Sequence, residues 1–421
     1  MDAKELPARP NLEHYKKLAK DLLKAYQSGD AAALQRFREH LQAPQLTWAD
    51  LRKEAQARLR KLRASKIVGD KLTLTDAQLL IAHSCGFESW PKFKKHIEAA
   101  LRKSSPVSKF ESAADAVITG DVATLRRLLR ENPELIRQRS TRAHQSTLLH
   151  YVSANGVEDF RQKTPKNAVE VAKILLAAGA EVDAENTDYG RGTTLGLVAT
   201  SAHPAEAGVQ IALLDTLLEA GASLDGLPGG WNPLTAALAN GCREAAEYLA
   251  RRGARLDLEG ASGVGRLDIV KGYFSQDGSL KAKATKKQMK DGFAWACEYG
   301  RSNVVEFLVD QGMEIDARLR NHGNTGLHWA AFGGHVDVVK LLLARKARLD
   351  IKDESFGGTP LEWAIQGWGG HPVDGHYEVV ALLVAAGAIL DPGWLADPDP
   401  PRAAKVRADS RMLGALRGKT S

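Results

Sequence analysis

Histidine and carboxylate side chains stand close together in one short stretch, HPVDGH, which contains His371, Asp374 and His376. Imidazole nitrogens and carboxylate oxygens bind divalent metals when they converge within about 2 Å of one ion. The nearest further histidines are His322, His328 and His335. These belong to other segments of a repeating pattern described below. A common centre is therefore not expected, and we predict no metal site.

Three tryptophans recur at a constant interval, because Trp295, Trp329 and Trp363 are each 34 residues apart. Aromatic side chains at such a spacing either form a ladder for a ligand or repeat one packing contact along the fold. The choice between these interpretations depends on the elements that carry the tryptophans.

The remaining reactive residues lack the neighbours that catalysis requires. The glycines of GASGVGR are out of order for a dinucleotide-binding turn and follow no predicted strand. Cys85, Cys242 and Cys297 are far apart and have no paired spacing, which favours free thiols in a reducing cytoplasm. We therefore predict no catalytic residues and no cofactor. An enzyme of unknown reaction built on the same fold stays open as an alternative.

The tryptophans belong to a repeat of about 33 residues, in which Thr325 and Gly326 open a first helix. Two glycines end that helix, and VDVVKLLL (336–343) forms a second helix with apolar residues at i, i+3 and i+4. A polar, turn-rich segment leads to the next copy. Two short helices cannot bury their apolar faces alone, but stacked copies can.

This unit resembles the ankyrin repeat, and the best copies read TGLHWAAFGGHVDVVKLLL, TPLEWAI…EVVALLVAAGAILD and DGFAWACEYGRSNVVEFLVDQGMEID. The resemblance covers 109–395, or about seven to eight repeats. It implies an all-α chain, an ankyrin-repeat α-solenoid of helix-turn-helix repeats with hairpin-like loops. It also favours packing between repeats for the three tryptophans and a turn-bonding role for His328, whose counterpart in the next repeat is Glu362. Residues 396–421 are expected to form a capping segment.

Three repeats contain inserted residues between their first and second helices: GVEDFRQKTPK, HPAEAGV and WGGHPVDG. All three are expected at the same edge of the solenoid, and the first two lie in neighbouring repeats. Insertions on one face of a repeat array often form the binding face. Loops also accept insertions at little cost, so surface drift without function is the competing interpretation.

In ankyrin proteins, contacts come mainly from hairpin tips and from the exposed inner face of the first helix. The resemblance therefore implies a scaffold or adaptor that binds a partner protein. We expect Tyr189, Tyr299, Phe332 and Trp368 to contribute most, because exposed aromatic residues are strong interface anchors. The predicted partner-binding residues are Asp188, Tyr189, Arg191, Trp231, Glu298, Tyr299, Asn321, His322, Asn324, Phe332, Ser355, Phe356, Trp368 and His371.

Residues 1–104 are predicted to form a basic helical domain. They contain 21 Lys/Arg against 12 Asp/Glu, and so account for the net charge of +7. About five helices are expected, including ones that begin near Asp30, Thr47, Thr75 and Ser89. LPARPNLEHYKKLAKDLLKAY is similar to a segment that precedes ankyrin repeats in bacterial proteins, which favours a bacterial origin.

A basic run in this domain could contact phosphates and make the protein a nucleic-acid-associated regulator. The competing interpretation is a solvated helix face, because the charges are spread over both solvent sides of the helix. The run comprises Arg52, Lys53, Arg58, Arg60, Lys61, Arg63 and Lys66.

No apolar run approaches the roughly 20 residues of a membrane span, and the N-terminus has no apolar signal core. We therefore expect a cytoplasmic protein without a membrane partner.

Overall fold

The computed structural model describes residues 6, 10–28, 72–319, 323–390 and 401–418. In this part of the chain every regular element is helical, and extended residues pair only in isolated bridges within loops. The predicted all-α class and the pattern of repeated helix pairs are therefore confirmed.

The chain divides into two compact units, Met1–Ala245 and Ala246–Ser421, and the helix Arg243–Arg251 contains the boundary. The predicted domain borders near residues 104 and 395 stay predictions. Numbered along the chain, the α-helices of the first unit are α1 (Leu12–Ser28), α2 (Leu74–Ser84), α3 (Trp90–Ala100), α4 (Pro106–Thr119), α5 (Val122–Glu131), α6 (Ala168–Ala177), α7 (Thr194–Ala199), α8 (Ala202–Glu206), α9 (Gln210–Glu219) and α10 (Pro233–Ala239). Short 3-10 helices cover Pro133–Arg137, Leu148–Ser153 and Asp159–Arg161.

The second unit continues with helix pairs and ends in two short helices. After the boundary helix α11 (Arg243–Arg251) come α12 (Leu258–Gly263), α13 (Leu267–Lys271), α14 (Lys286–Glu298), α15 (Ser302–Asp310), α16 (Gly326–Phe332), α17 (Val336–Ala344), α18 (Pro360–Gly370), α19 (Gly375–Ala385), α20 (Pro401–Ala408) and α21 (Ser410–Ala415).

Helices α1, α2 and α3 pack around an aromatic core in which Tyr15 meets Phe93 edge to face, with ring centroids 5.0 Å apart. Ser89 caps α3 as predicted, and its hydroxyl accepts from Lys92 N. Helix α2 is capped by Thr73 rather than Thr75, because the Thr73 hydroxyl accepts from Asp76 N. The helices predicted to begin at Asp30 and Thr47 lie outside the described residues.

In each unit, first helices stack on first helices and second helices on second helices. In the second unit α12, α14, α16 and α18 form one row, and α13, α15, α17 and α19 form the other. This stacking buries the apolar stripe of each short helix against its neighbours in the row, which a single helix pair cannot do. The unit therefore has one continuous core, with Phe293, Leu327, Val339 and Leu361 among its buried side chains.

A threonine opens the first helix of several repeats. Its main-chain amide and its side-chain hydroxyl both form hydrogen bonds with the side chain of the residue three positions later. In α16 the ring Nδ1 of His328 accepts from Thr325 N at 3.0 Å, while Nε2 donates to Gly358 O at 3.1 Å. In α18, Glu362 Oε2 replaces the imidazole and accepts from Thr359 N at 2.6 Å. The predicted difference between His328 and Glu362 is thus a change of acceptor within one capping box.

Aspartates at the end of the second helix link successive repeats. Asp183 accepts from both the amide and the hydroxyl of Ser223, and Asp316 accepts from Arg348 N at 3.0 Å. These carboxylates bond the following repeat rather than their own turn. These two aspartates therefore stabilise the stacking of neighbouring repeats.

Within the part that the structure describes, the helices are too short or too polar to cross a membrane.

Candidate functional site

A cavity of about 410 Å³ opens in the first unit where the first two inserted segments meet. Its residues come from two hairpin loops, from the two inserted segments and the turns before them, and from the helices α8 and α10. Its lining consists of Ala154, Asn155, Gln162, Tyr189, Thr200, Ser201, Ala202, His203, Trp231, Ala236 and Asn240. The two neighbouring insertions therefore border one site, as their spacing in the sequence suggested.

Tyr189 reaches the cavity from a loop that an isolated antiparallel bridge between Glu185 and Thr193 closes. Its backbone is left-handed at φ 51°, as is that of Arg191 at φ 79°. Residues other than glycine rarely adopt this backbone conformation, because it costs them about 1–2 kcal/mol per residue. The Arg191 guanidinium pairs with Glu185 at 2.8 Å, and Tyr189 is 67% exposed. The backbone of this loop is thus strained, and the aromatic ring of Tyr189 projects into solvent.

Trp231 enters from the next loop, and its ring lies on Gly196 of α7. A Cβ at Gly196 would stand 2.6 Å from Trp231 Cη2, so no larger residue fits beneath the indole without moving it. The Nε1 of Trp231 and the Oγ of Ser201 are both buried and bond no described residue. Buried groups without partners cost about 1–3 kcal/mol each, which makes this wall a site that would gain from added hydrogen bonds.

Amide side chains supply the remaining polarity of the lining. Their N–H groups donate to the protein itself: Asn155 to Thr200 Oγ1 at 3.0 Å, Gln162 to Val157 O at 3.0 Å and Asn240 to Ala236 O at 2.8 Å. Asn155 Oδ1 accepts from Gly156 N. Within the described chain, Gln162 Oε1 and Asn240 Oδ1 receive no donor, and Asn240 Nδ2 keeps a second N–H, so the lining amides have both acceptor and donor capacity left.

Buried charges fix the wall that carries Gln162. Arg161, the preceding residue, donates to Glu111 Oε2 at 2.8 Å and to Asp115 Oδ1 at 2.9 Å, both on α4. Arg142 donates to the same Glu111 oxygen at 3.1 Å and pairs with Glu158 of the inserted segment. Arg142, Arg161 and Glu158 are almost fully buried. The first insertion is therefore folded back onto α4 instead of projecting as a free loop.

The two arginines keep the acids of this network ionised. Burial by itself would raise the pKa of Glu158, but the charges of Arg142 and Arg161, together with His144 at 3.6 Å, hold that pKa well below its usual range. The same balance of burial against Arg142 and Arg161 lowers the pKa of Glu111. At Asp115 burial outweighs Arg161, and its pKa is raised.

Of the predicted partner-binding residues in the first unit, Tyr189 and Trp231 line the cavity. Asp188 is half-buried beside Tyr189, and burial raises the pKa of its carboxyl. Burial also raises the pKa of the Tyr189 phenol, with further contributions from Asp188 and Asp159. Arg191 is exposed but held by Glu185. Two of the four residues thus line the cavity, whereas Asp188 and Arg191 lie beside Tyr189 in its loop without lining it.

Two aromatic residues of the second unit were wrongly expected to be exposed. Tyr299 is 7% exposed, because it caps α14 and packs against the unit while its amide donates to Trp295 O. Trp368 is 2% exposed. Its ring lies 6.2 Å from that of Tyr377, and Lys405 Nζ of α20 lies 4.7 Å from its centroid. The C-terminal helices therefore cover a side chain that was expected to face a partner.

Asn324 was also expected at the surface and is fully buried, because its Oδ1 accepts from Trp329 Nε1 at 3.0 Å. Phe332 is half-buried against Trp329 and Trp363. The Trp329 and Trp363 rings meet edge to face with centroids 5.3 Å apart. The packing favours a structural role for Trp329 and Trp363, and Trp295 is also buried, with 4% of its surface exposed.

The other predicted residues of the second unit are more accessible. Ser355 and His371 are exposed, and Phe356 is 74% exposed at a loop tip. Glu298 is half-buried, and its carbonyl oxygen accepts from His335 Nε2. Asn321, His322 and the complete basic run of Arg52, Lys53, Arg58, Arg60, Lys61, Arg63 and Lys66 lie outside the described residues.

The histidines and carboxylates near HPVDGH have separate structural partners. His376 Nε2 bonds Phe332 O at 2.9 Å, and Asp374 pairs with Arg411 at 2.8 Å. No group of three or more His, Cys, Asp or Glu side chains in the described ranges is arranged to hold a metal ion.

Sequence reasoning missed the buried network around Arg142 and Arg161 and the lining amides. The only feature of the sequence that could have indicated this network is the pair of adjacent residues Phe160 and Arg161 within a mostly polar insertion. Their partners on α4 are about 50 residues away in the chain, so local patterns could not reveal the contact.

Comparison with protein families identifies the repeats of the second unit. Residues 261–353 and 293–392 match the family model for ankyrin repeats in three copies. A search of curated proteins gives no match to this chain. The matched range begins within α12, and Asp257 caps that helix because its carboxylate accepts from Gly260 N at 2.7 Å. The chain therefore carries ankyrin repeats over residues 261–392.

Proposed function

We propose that this protein is a scaffold that binds a partner protein, and that the cavity between the first two insertions is a docking point. Ankyrin repeats in general are protein–protein interaction modules. The observation that carries the proposal is that Tyr189 and Trp231, from consecutive hairpins, meet both inserted segments around one cavity. Its volume of about 410 Å³ falls in the range of roughly 300–1,000 Å³ that is typical of binding pockets.

The strain of the Tyr189 loop supports a binding role. A tyrosine at φ 51° costs more than glycine or asparagine would at the same position. Such cost is often tolerated where a side chain has a function. The exposed Phe356 at a loop tip of the second unit is a further candidate contact.

We favour binding over catalysis because of what the lining offers. Two aromatic rings and unpaired amide oxygens are suited to recognition. His203 is exposed on the rim, and neither a carboxylate nor a hydroxyl group of the described residues bonds its ring. A cytoplasmic location is part of the proposal, supported by the buried free thiols of Cys85 and Cys297.

The proposal is tested by affinity capture with the full-length chain and its Tyr189→Asn variant as baits. Asparagine suits the left-handed backbone at this position, so the fold is expected to persist. Lys173→Ala on the exposed face of α6 is the matched control. We expect a discrete protein from nuclease-treated lysate of the source organism to be retained by the wild type and the control and lost from the variant. Equal retention by all three baits, or none by any, would refute this docking point.

A further inference from the structure

We propose that the cavity receives the carboxamide side chain of a glutamine from an extended segment of the partner. The inference rests on the proposed function and names the group that the docking point recognises. It starts from the carboxamide side chains of the lining, Asn155, Gln162 and Asn240, whose own hydrogen bonds leave a definite set of groups available.

Two carboxamide oxygens of the lining lack a donor among the described residues. Both N–H groups of Gln162 are used, since Nε2 donates to Val157 O at 3.0 Å and to Asp159 Oδ1 at 3.2 Å, but Gln162 Oε1 accepts from no described group. The same holds for Asn240 Oδ1, and the Asn240 side chain is exposed, so an incoming group can reach it. The lining therefore offers two acceptors on these side chains.

Two N–H groups of the lining amides lack an acceptor in the same described part of the chain. Asn240 Nδ2 donates one N–H to Ala236 O at 2.8 Å and keeps the other. Asn155 Nδ2 donates to Thr200 Oγ1 at 3.0 Å and also keeps a second N–H, while its Oδ1 accepts from Gly156 N. A primary amide has two donors on its nitrogen and two lone pairs on its oxygen. It thus matches the available groups in kind and in number.

Other hydrogen-bonding groups match this set less completely. A hydroxyl or a main-chain peptide group carries one donor, so neither can bond both Gln162 Oε1 and Asn240 Oδ1. Ammonium and guanidinium groups have enough donors but no acceptor, and a carboxylate has no donor. None of the described lining residues is Asp, Glu, Lys or Arg, so a charged group would lose hydration without gaining an ion pair from the lining.

The aromatic rings of the lining fit the methylene groups that precede the carboxamide. Tyr189 is 67% exposed, and Trp231 rests on Gly196, where a Cβ would stand 2.6 Å from the indole Cη2. Both rings therefore present apolar surface that a bound side chain can cover. Glutamine has two methylene groups against one in asparagine, so it buries more apolar surface against these rings.

The test titrates full-length protein by calorimetry with the peptide Ac-Gly-Ser-Gln-Ser-Gly-NHCH3, whose N-methylated end avoids a second primary amide. Three comparison peptides replace the central glutamine by glutamate, which has the same shape and a charge, by norleucine, which has no hydrogen-bonding group, or by lysine. We expect the glutamine peptide to bind about tenfold more tightly than each of the others, because only its side chain both donates and accepts without a charge. Equal or tighter binding of any comparison peptide, or no binding of the glutamine peptide at millimolar concentration, would overturn the assignment.

Variants then locate the site. Asn240→Leu removes one available oxygen and one available N–H just after α10, and it should weaken binding of the glutamine peptide about three- to tenfold while the norleucine peptide is unaffected. An unchanged circular dichroism spectrum shows that the fold persists. Gln276→Leu, which removes an exposed carboxamide of the second unit, is the matched control and should leave all affinities unchanged. Unaltered binding of the glutamine peptide to Asn240→Leu would contradict the proposal.

The two proposals fail in different ways. If Tyr189→Asn abolishes capture of the partner protein but the glutamine peptide does not bind, the docking point stands and glutamine is the wrong ligand. If capture does not respond to Tyr189→Asn and the glutamine peptide does not bind, both proposals fall.

Discussion

At the scale of single residues, Tyr189 combines an unfavourable backbone with an exposed ring. Replacing it by glycine removes the left-handed strain, so Tyr189→Gly should raise the free energy of unfolding by up to about 1 kcal/mol. The same change removes one aromatic wall of the cavity and should weaken partner binding. Urea unfolding and affinity capture on the same preparation measure the two effects. A variant that loses stability would show that the ring packs within the fold instead.

Buried histidines give the fold a predictable response to mild acid. Burial lowers the pKa of His150 and of His328 to about 4, against an ordinary value near 6.5. Above pH 6.5 both rings are neutral whether folded or unfolded, and their contribution to stability is complete. Between pH 6.5 and 4 these histidines bind protons in the unfolded chain but not in the folded chain, so the free energy of unfolding falls as the pH is lowered.

We therefore expect the free energy of unfolding to drop by about 2 kcal/mol per buried histidine between pH 7 and pH 5. Urea titrations at the two pH values measure it. His328→Glu is the informative variant, because Glu362 already caps α18 in the same way and the change removes the buried imidazole. It should flatten the pH dependence. If the free energy of unfolding of the variant depends on pH as steeply as that of the wild type, His328 does not contribute to the pH dependence.

At the scale of elements, the first insertion is a structural strap. Arg161 ties it to Glu111 and Asp115 of α4, and removing one member leaves charges buried without partners. Arg161→Met should therefore lower the free energy of unfolding by about 3–5 kcal/mol. The control is Arg127→Met, because Arg127 pairs with Glu131 on the exposed face of α5 and should cost under about 1 kcal/mol. Similar losses in the two variants would contradict the strap.

The close approach of α16 and α18 depends on one glycine. A Cβ at Gly367 would stand 2.0 Å from Phe332 O, whereas one at Gly370 in the same helix meets nothing within 4 Å. Gly367→Ala should therefore destabilise the second unit by about 1–3 kcal/mol. Gly370→Ala should be neutral or slightly stabilising, since alanine is the better helix former. Thermal unfolding of the two variants compares them, and equal midpoints would refute the close contact.

What the sequence could predict at this scale was local. Threonine caps, glycine stops and helix periodicity lie within a few residues of one another, so the helix pairs around Trp329 and Trp363 were correctly predicted. The exposure of Trp368 was not, because the residue that covers it, Lys405, is 37 positions away and belongs to another element. The position of a residue within a repeat predicts where its side chain leaves the backbone. Whether that side chain is buried depends on which distant element packs over it.

At the scale of the whole molecule, the chain combines two units with different degrees of regularity. The second unit contains the repeats that match the ankyrin family and a C-terminal pair of helices that covers Trp368. The first unit contains two of the inserted segments, the buried charges and the cavity. The sequence indicated that the two insertions were neighbours. It could not indicate the cavity, because Gln162 is positioned by Arg161 through contacts with α4 far along the chain.

Contact between the cavity beside Tyr189 and a partner protein decides whether the proposed function is correct. The most direct test replaces Tyr189 by the photo-crosslinking amino acid p-benzoylphenylalanine in the full-length chain and identifies crosslinked segments in living cells by mass spectrometry. An aromatic L-residue already occupies this left-handed position, so the substitution preserves the loop. We predict one discrete partner protein that is crosslinked at this position. Absence of a discrete crosslink at position 189, with crosslinks from the same probe at exposed position 173, would contradict the account.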